Sequence, residues 1–237
     1  MKGTIATCAA VLVVSVALLL ATNLKKKAND AALFSQETET LKNLGRAFIE
    51  YTTDHGGLTP TNPSSSPLTW ADAAHPDAED AWFNVLPKQM GFRSPAELGP
   101  SRGNEFYDDM YPLCVAGAPY VKDLGKRATR PSFAIGMNDR LPRGRTLDGK
   151  AQQTLASILQ PVNTVLFLTR GLPEEETANP FQTGFDGAPA AGPSQFVERH
   201  NGLGILLFVD GHVEARRSEE LVGKHGAISH PSIIWDP

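Results

Sequence analysis

The sequence predicts an α+β fold, one long N-terminal helix packed on an antiparallel sheet with long loops, and three observations predict it. An uncharged run from Thr4 to Leu24 passes directly into a stretch with helical periodicity. A short apolar run, Thr164 to Leu168, has the length and composition of a buried strand. Two dipeptides, Asn201-Gly202 and Asp210-Gly211, punctuate the C-terminal region as hairpin turns do.

Size and charge narrow the function classes. Beyond the apolar run, the 237-residue chain has enough length for one sizeable core, which divides it into an anchor over 1–27 and one domain over 28–237. Its 18 Pro and 21 Gly call for many turns and irregular connections. A formal charge of −4 supplies no basic field for phosphate contacts, so nucleic acid is not an expected partner. The one cationic run, Lys25-Lys26-Lys27, follows the apolar segment, where lysines sit among lipid head groups. Cys8 and Cys114 are too far apart in character to form a disulfide framework, and Cys114 reads as a small buried hydrophobe.

The first element is the helix. At ~1.5 Å rise per residue, Thr4 to Leu24 matches a hydrocarbon core of roughly 30 Å, which predicts a single membrane span. A cleavable signal is the rival, but its apolar stretch is usually about 7 to 15 residues and ends in a small-x-small site, unlike Leu-Ala-Thr-Asn-Leu-Lys. The helix then continues as an amphipathic segment over 28–56. Phe34, Leu41, Leu44, Phe48 and Tyr51 recur at one-face spacing, and Gly56-Gly57 followed by Pro60 supplies the stop.

The middle elements are shorter. Gly57 to Leu68 reads as an exposed connection, followed by a helix that starts near Pro76 or Asp77, carries Trp82, Phe83 and Leu86, and is interrupted by Pro87. From Ser94 to Leu147 six prolines leave room only for short strands, such as Ser132 to Gly136. A helical turn around Leu155 to Leu159 precedes the Thr164 to Leu168 strand, which is expected to be central. The loop from Gly171 to Gly192 holds Glu174-Glu175-Glu176 and Asp186-Gly187, read as solvated surface; no cofactor is expected other than calcium on these oxygens.

The C-terminal segment, 195–217, predicts a three-stranded meander. His200 should pair with Leu203 and Val209 with His212, placing Leu203, Ile205, Leu207 and Val209 on a face the helix could cover. His200 and Asp210 then stand at opposite ends of the middle strand, roughly 20 Å apart at ~3.3 Å per residue, too far for a catalytic pair. Asp210 caps its turn and Gly211 takes the positive φ there. Asp210 with His212 would hold a metal only if His225 or His230 joined them. No catalytic or metal residues are assigned, and the chain reads as a non-enzyme; a metal-dependent hydrolase built on Asp210 and His212 is the weakest alternative.

Arg199-His200-Asn201-Gly202, then Asp210-Gly211-His212-Val213 with nine residues between His200 and Asp210, resembles the C-terminal domain of prepilin-like proteins named for its His, nine residues, Asp-Gly pattern. At the other end Asn43, Leu44, Tyr51, Asp54, Gly56, Gly57 and Pro60 are similar to the pseudopilin helix-end pattern. AWFNVLPKQMG, SFAIGMN and PVNTVLFL also look like family segments. The resemblance implies a pilin-like fold in which His200, Asn201, Gly202, Asp210, Gly211 and His212 are structural. It implies a non-enzymatic pseudopilin-like subunit of a type II secretion or type IV pilus-like assembly. Its partners would be membrane lipid and other pilin-like subunits or secretion-assembly proteins. Its place would be the inner membrane with the domain on the extracytoplasmic side, although the lysine count alone favours the opposite orientation. Gly3 and Thr4 stand where the family has its Gly-Phe processing site, and Cys8 where it has a glutamate. That departure favours an alternative, a membrane-tethered extracytoplasmic binding module that does not polymerise.

Overall fold

The computed structural model describes residues 2–62, 66–141 and 153–237, with side chains described from Leu19 onward. Helix α1, Lys2–Asp54, is the long element. Leu41, Leu44, Phe48 and Tyr51 are buried along one face, with Phe34 half-buried at its start, as a period of 3.6 residues requires. Gly56 and Gly57 follow with φ of 64° and 88°, a backbone that residues lacking a Cβ reach without strain.

The expected single-pass membrane placement does not hold: among the described residues, no helix is long and apolar enough to cross a membrane. The reason is visible in the side chains. Exposed leucines end at Leu24, and Lys25, Lys26, Lys27, Asp30, Glu37, Glu39 and Lys42 follow on the same helix. Gly3, Thr4 and Cys8 lie outside the residues whose side chains are described.

After α1 come α2, Trp70–Ala73, α3, Trp82–Gln89, α4, Pro95–Leu98, and α5, Leu124–Thr129. The helix expected from Pro76 is instead a 3-10 turn, Pro76–Ala78, separated from α3. Pro87 lies inside α3 instead of ending it. Trp82, Phe83 and Leu86 are fully buried and hold the turn that the missing N–H weakens. Nor does the proline-rich stretch after Ser94 form only strands. Pro95 opens α4, capped by Ser94 and Glu97, and Pro100 opens a 3-10 segment to Tyr107, because a fixed φ suits the first helical turn.

The sheet is mixed. Strands β1, Ile135–Asn138, β2, Val165–Thr169, β3, Ala190–Ala191, β4, Gly204–Phe208, and β5, Val213–Arg216, lie in the order β3-β1-β2-β4-β5. Strand β2 is central, as its uninterrupted burial requires, and only the β1–β3 pair is parallel. A separate hairpin joins β6, Val222–Gly223, to β7, Gly226–Ala227.

The meander is a two-stranded one with an irregular lead-in. Residues 195–200 form only isolated bridges, Arg170 with Phe196 and His200 with Leu203, because their backbone bonds are divided between Thr169, Gly171 and the turn. The first turn is as expected, with Asn201 and Gly202 at φ of 52° and 80°. At the second turn Leu207 opposes Val213 and Phe208 N–H donates to the His212 carbonyl, so Val209 does not pair with His212. Val209-Asp210-Gly211 is a three-residue loop, closed by His212 N–H donating to Asp210 Oδ1 and by Gly211 at φ 92°.

Side-chain alternation along β4 builds two cores. Ile205, Leu207 and Val209 face α1 and an aromatic cluster of Trp82, Phe83, Phe133 and Phe167. Leu206 and Phe208 face Leu221, Ile233 and Trp235 on the other side. A Cβ on Gly45 would stand 3.1 Å from the Leu207 side chain, so glycine lets α1 approach β4 closely.

Candidate functional site

The apolar stripe of α1 contains one charged residue. Glu37 lies three residues after Phe34 and four before Leu41, so helical geometry turns it toward the sheet, and it is 1% exposed. A buried carboxylate is tolerated only when its oxygens are satisfied. Thr169 Oγ1 on β2 donates to Glu37 Oε1 at 2.9 Å, and His200 Nε2 lies 2.8 Å from Oε2. Arg199 Nη1 stands 3.6 Å from Oε1.

Arg199 has a second carboxylate. Its Nε and Nη2 donate to Glu175 at 2.7 and 2.8 Å, a bidentate geometry, and Nη1 donates to the Ala134 carbonyl at 3.1 Å. Burial opposes the charge on Arg199, but Glu37 and Glu175 outweigh it and hold its pKa above the ordinary arginine value. One helical turn before Glu37, Phe34 packs edge-on against the His200 ring at 5.4 Å, and Asp30 accepts a hydrogen bond from Asn201. Three consecutive residues, Arg199, His200 and Asn201, thus grip α1 at Asp30, Phe34 and Glu37.

The six motif residues therefore divide into two groups. His200, Asn201 and Gly202 form the clasp and its turn. Asp210, Gly211 and His212 form the other turn, where His212 Nδ1 lies 2.6 Å from Asp210 Oδ1 and the ring stacks on Phe208 at 4.3 Å. His225 and His230 do not complete a metal site there; among the described residues, no group of three His, Cys, Asp or Glu side chains could hold a metal ion. Glu214 Oε1, 3.6 Å from His212 Nε2, is the nearest further carboxylate.

The acidic loop is a correction. Glu175 is not solvated surface: its side chain is 9% exposed and bound to Arg199. Asp186 pairs with Arg170, a buried guanidinium that also donates to the Ala190 and Gly184 carbonyls. Of the oxygens expected to invite calcium, those of Glu175 and Asp186 are engaged by arginine, while Glu174 and Glu176 are exposed. Cys114 is buried and unpaired, and burial raises its pKa to about 11.

Sequence reasoning missed Glu37 and Glu175. For Glu37 the signal was present, a carboxylate filling the seven-residue gap between Phe34 and Leu41 in an otherwise apolar stripe. For Glu175 nothing in a run of three glutamates marks the middle one. No known family, curated protein or solved structure matches the chain.

Proposed function

We propose that the chain is a non-enzymatic pilin-like subunit that associates with copies of itself or related chains in a type II secretion or type IV pilus-like assembly. The clasp carries this reading. It fastens α1 to the sheet from Asp30 onward, while residues 19–29 are exposed and include Leu19, Leu20 and Leu24. A helix held firmly along one half and presenting uncovered leucines along the other is suited to packing against another helix. The resemblance at both ends of the chain supports the same reading, and the closed clasp leaves no room for substrate at Glu37 or His200. The test is a photo-cross-linking residue at Leu20 or Leu24 in the full chain in its own cell. Adducts with further copies or pilin-like chains are expected, and recovery of monomer alone would overturn the proposal.

A further inference from the structure

A second cationic cluster, Lys126, Arg127 and Arg130, lies within five residues of chain, outside the clasp. Lys126, Arg127 and Arg130 line a pocket of about 210 Å³ together with Tyr107, Val121, Thr129, Ser132, Pro173 and Glu174. Its size falls below the roughly 300 to 1,000 Å³ of sites for drug-sized ligands, so it suits a small group. Three cations face one carboxylate, a local excess of two positive charges in a chain whose formal charge is −4. Among the described residues, none of these three side chains has a carboxylate oxygen within ion-pair distance, whereas Arg93, Arg170, Arg199 and Arg216 all do.

The pocket is also built to hold its shape. The Arg127 guanidinium lies 4.5 Å from the Tyr107 ring centroid and donates from Nε to the Val121 carbonyl, which leaves both Nη atoms for other acceptors. Trp70 Nε1 donates to the Arg127 carbonyl at 2.9 Å, and the Tyr107 hydroxyl donates to the Arg130 carbonyl at 2.9 Å. Both ends of the segment carrying the cations are therefore pinned from the core. Asp123, the nearby acid, is occupied as the cap of α5, accepting from Gly125 and Lys126 N–H. A guanidinium held by Tyr107 with both Nη atoms left over, and two further cations without a carboxylate within ion-pair distance, match the oxygens of a tetrahedral oxyanion.

We infer that this pocket binds a doubly charged oxyanion, a phosphate or sulfate group carried by a ligand. The test is a titration of the full chain with inorganic phosphate, sulfate and acetate at constant ionic strength, followed by calorimetry or amide chemical shifts. Saturable binding of phosphate or sulfate is expected, with shifts at residues 126–132, and the tighter of the two names the group. K126M/R130Q should weaken binding at least tenfold. E174Q, on an exposed loop, should tighten it severalfold, and this variant keeps the test independent of any folding defect in the first. Acetate binding as tightly as the dianions, a non-saturating response, or wild-type affinity in both variants would overturn the inference.

Discussion

Replacing Glu37 with leucine tests whether the clasp holds α1. The substitution makes the residue apolar while keeping it helix-compatible; the Thr169 hydroxyl can still donate to the Ile205 carbonyl at 3.2 Å, but the buried His200 ring loses the carboxylate its Nε2 faces. The one stranded donor costs about 1–3 kcal/mol, and breaking a buried ion pair by removing one partner costs about 3–5 kcal/mol. Arg199 keeps its bidentate contact with Glu175, so the lower part of that range applies, a loss of about 3 kcal/mol. Urea unfolding of the full chain would read it, with Glu39→Leu as control. Glu39 is two residues away with a side chain 61% exposed, and its replacement should stay within about 0.5 kcal/mol of wild type. Hydrogen exchange adds the location: amides of α1 around Glu37 should lose protection before those of β2. A double-mutant cycle with His200→Ala should show coupling of about 0.5–3 kcal/mol. A loss under about 1 kcal/mol for Glu37→Leu, or additivity with His200→Ala, would refute the clasp.

Gly204→Ala should destabilise severely, because its Cβ would meet the Val197 carbonyl oxygen at 2.1 Å, and backbone cannot rotate away as a side chain can; expression and melting temperature would show it. Trp82→Ala, in the centre of the aromatic cluster, should cost about 3–5 kcal/mol by denaturant titration. Cys114 should resist alkylation at pH 8 in the native chain and react on unfolding, as peptide mass mapping would detect. The same burial makes stability fall with alkali. Above pH 9 the unfolded chain releases the thiol proton that the folded one retains until about 11, so stability contributed by the neutral thiol is lost across that window. Tyr51, raised to about 12 by burial and by Asp80, extends the fall, and a Cys114→Ala variant should lack its first part.

The elements legible in the sequence were those with a local cause. The stripe from Phe34 to Tyr51, the central apolar strand and the Asn201-Gly202 turn follow from periodicity and from φ preferences, and each stands where it was expected. Misreadings occurred where a local signal had two outcomes. Pro95 and Pro100 could exclude strands or open helical turns, and capping by Ser94 and Glu97 decided for the helix at Pro95. Asp210-Gly211 could make a two- or three-residue loop, and the Asp210 bond to His212 N–H selected the longer one. The apolar run before Lys25 reads as a span by its length, lack of charge and flanking lysines, whereas the described part of α1 carries charge and packs on the protein.

By itself the sequence determined the periodic helix face, the central strand and the first turn, because each depends on residues within a few positions of one another. The clasp and the cationic pocket were decided only in three dimensions. Glu37 meets His200 across 163 positions of chain and Thr169 across 132, and Trp70 reaches the Arg127 carbonyl across 57. Whether a charge is buried and paired, as in Glu175, or left unpaired at a pocket, as in Lys126 and Arg130, depends on which distant groups the fold brings beside it. Electrostatic partners act at a few ångströms through space, and spacing along the chain does not encode them.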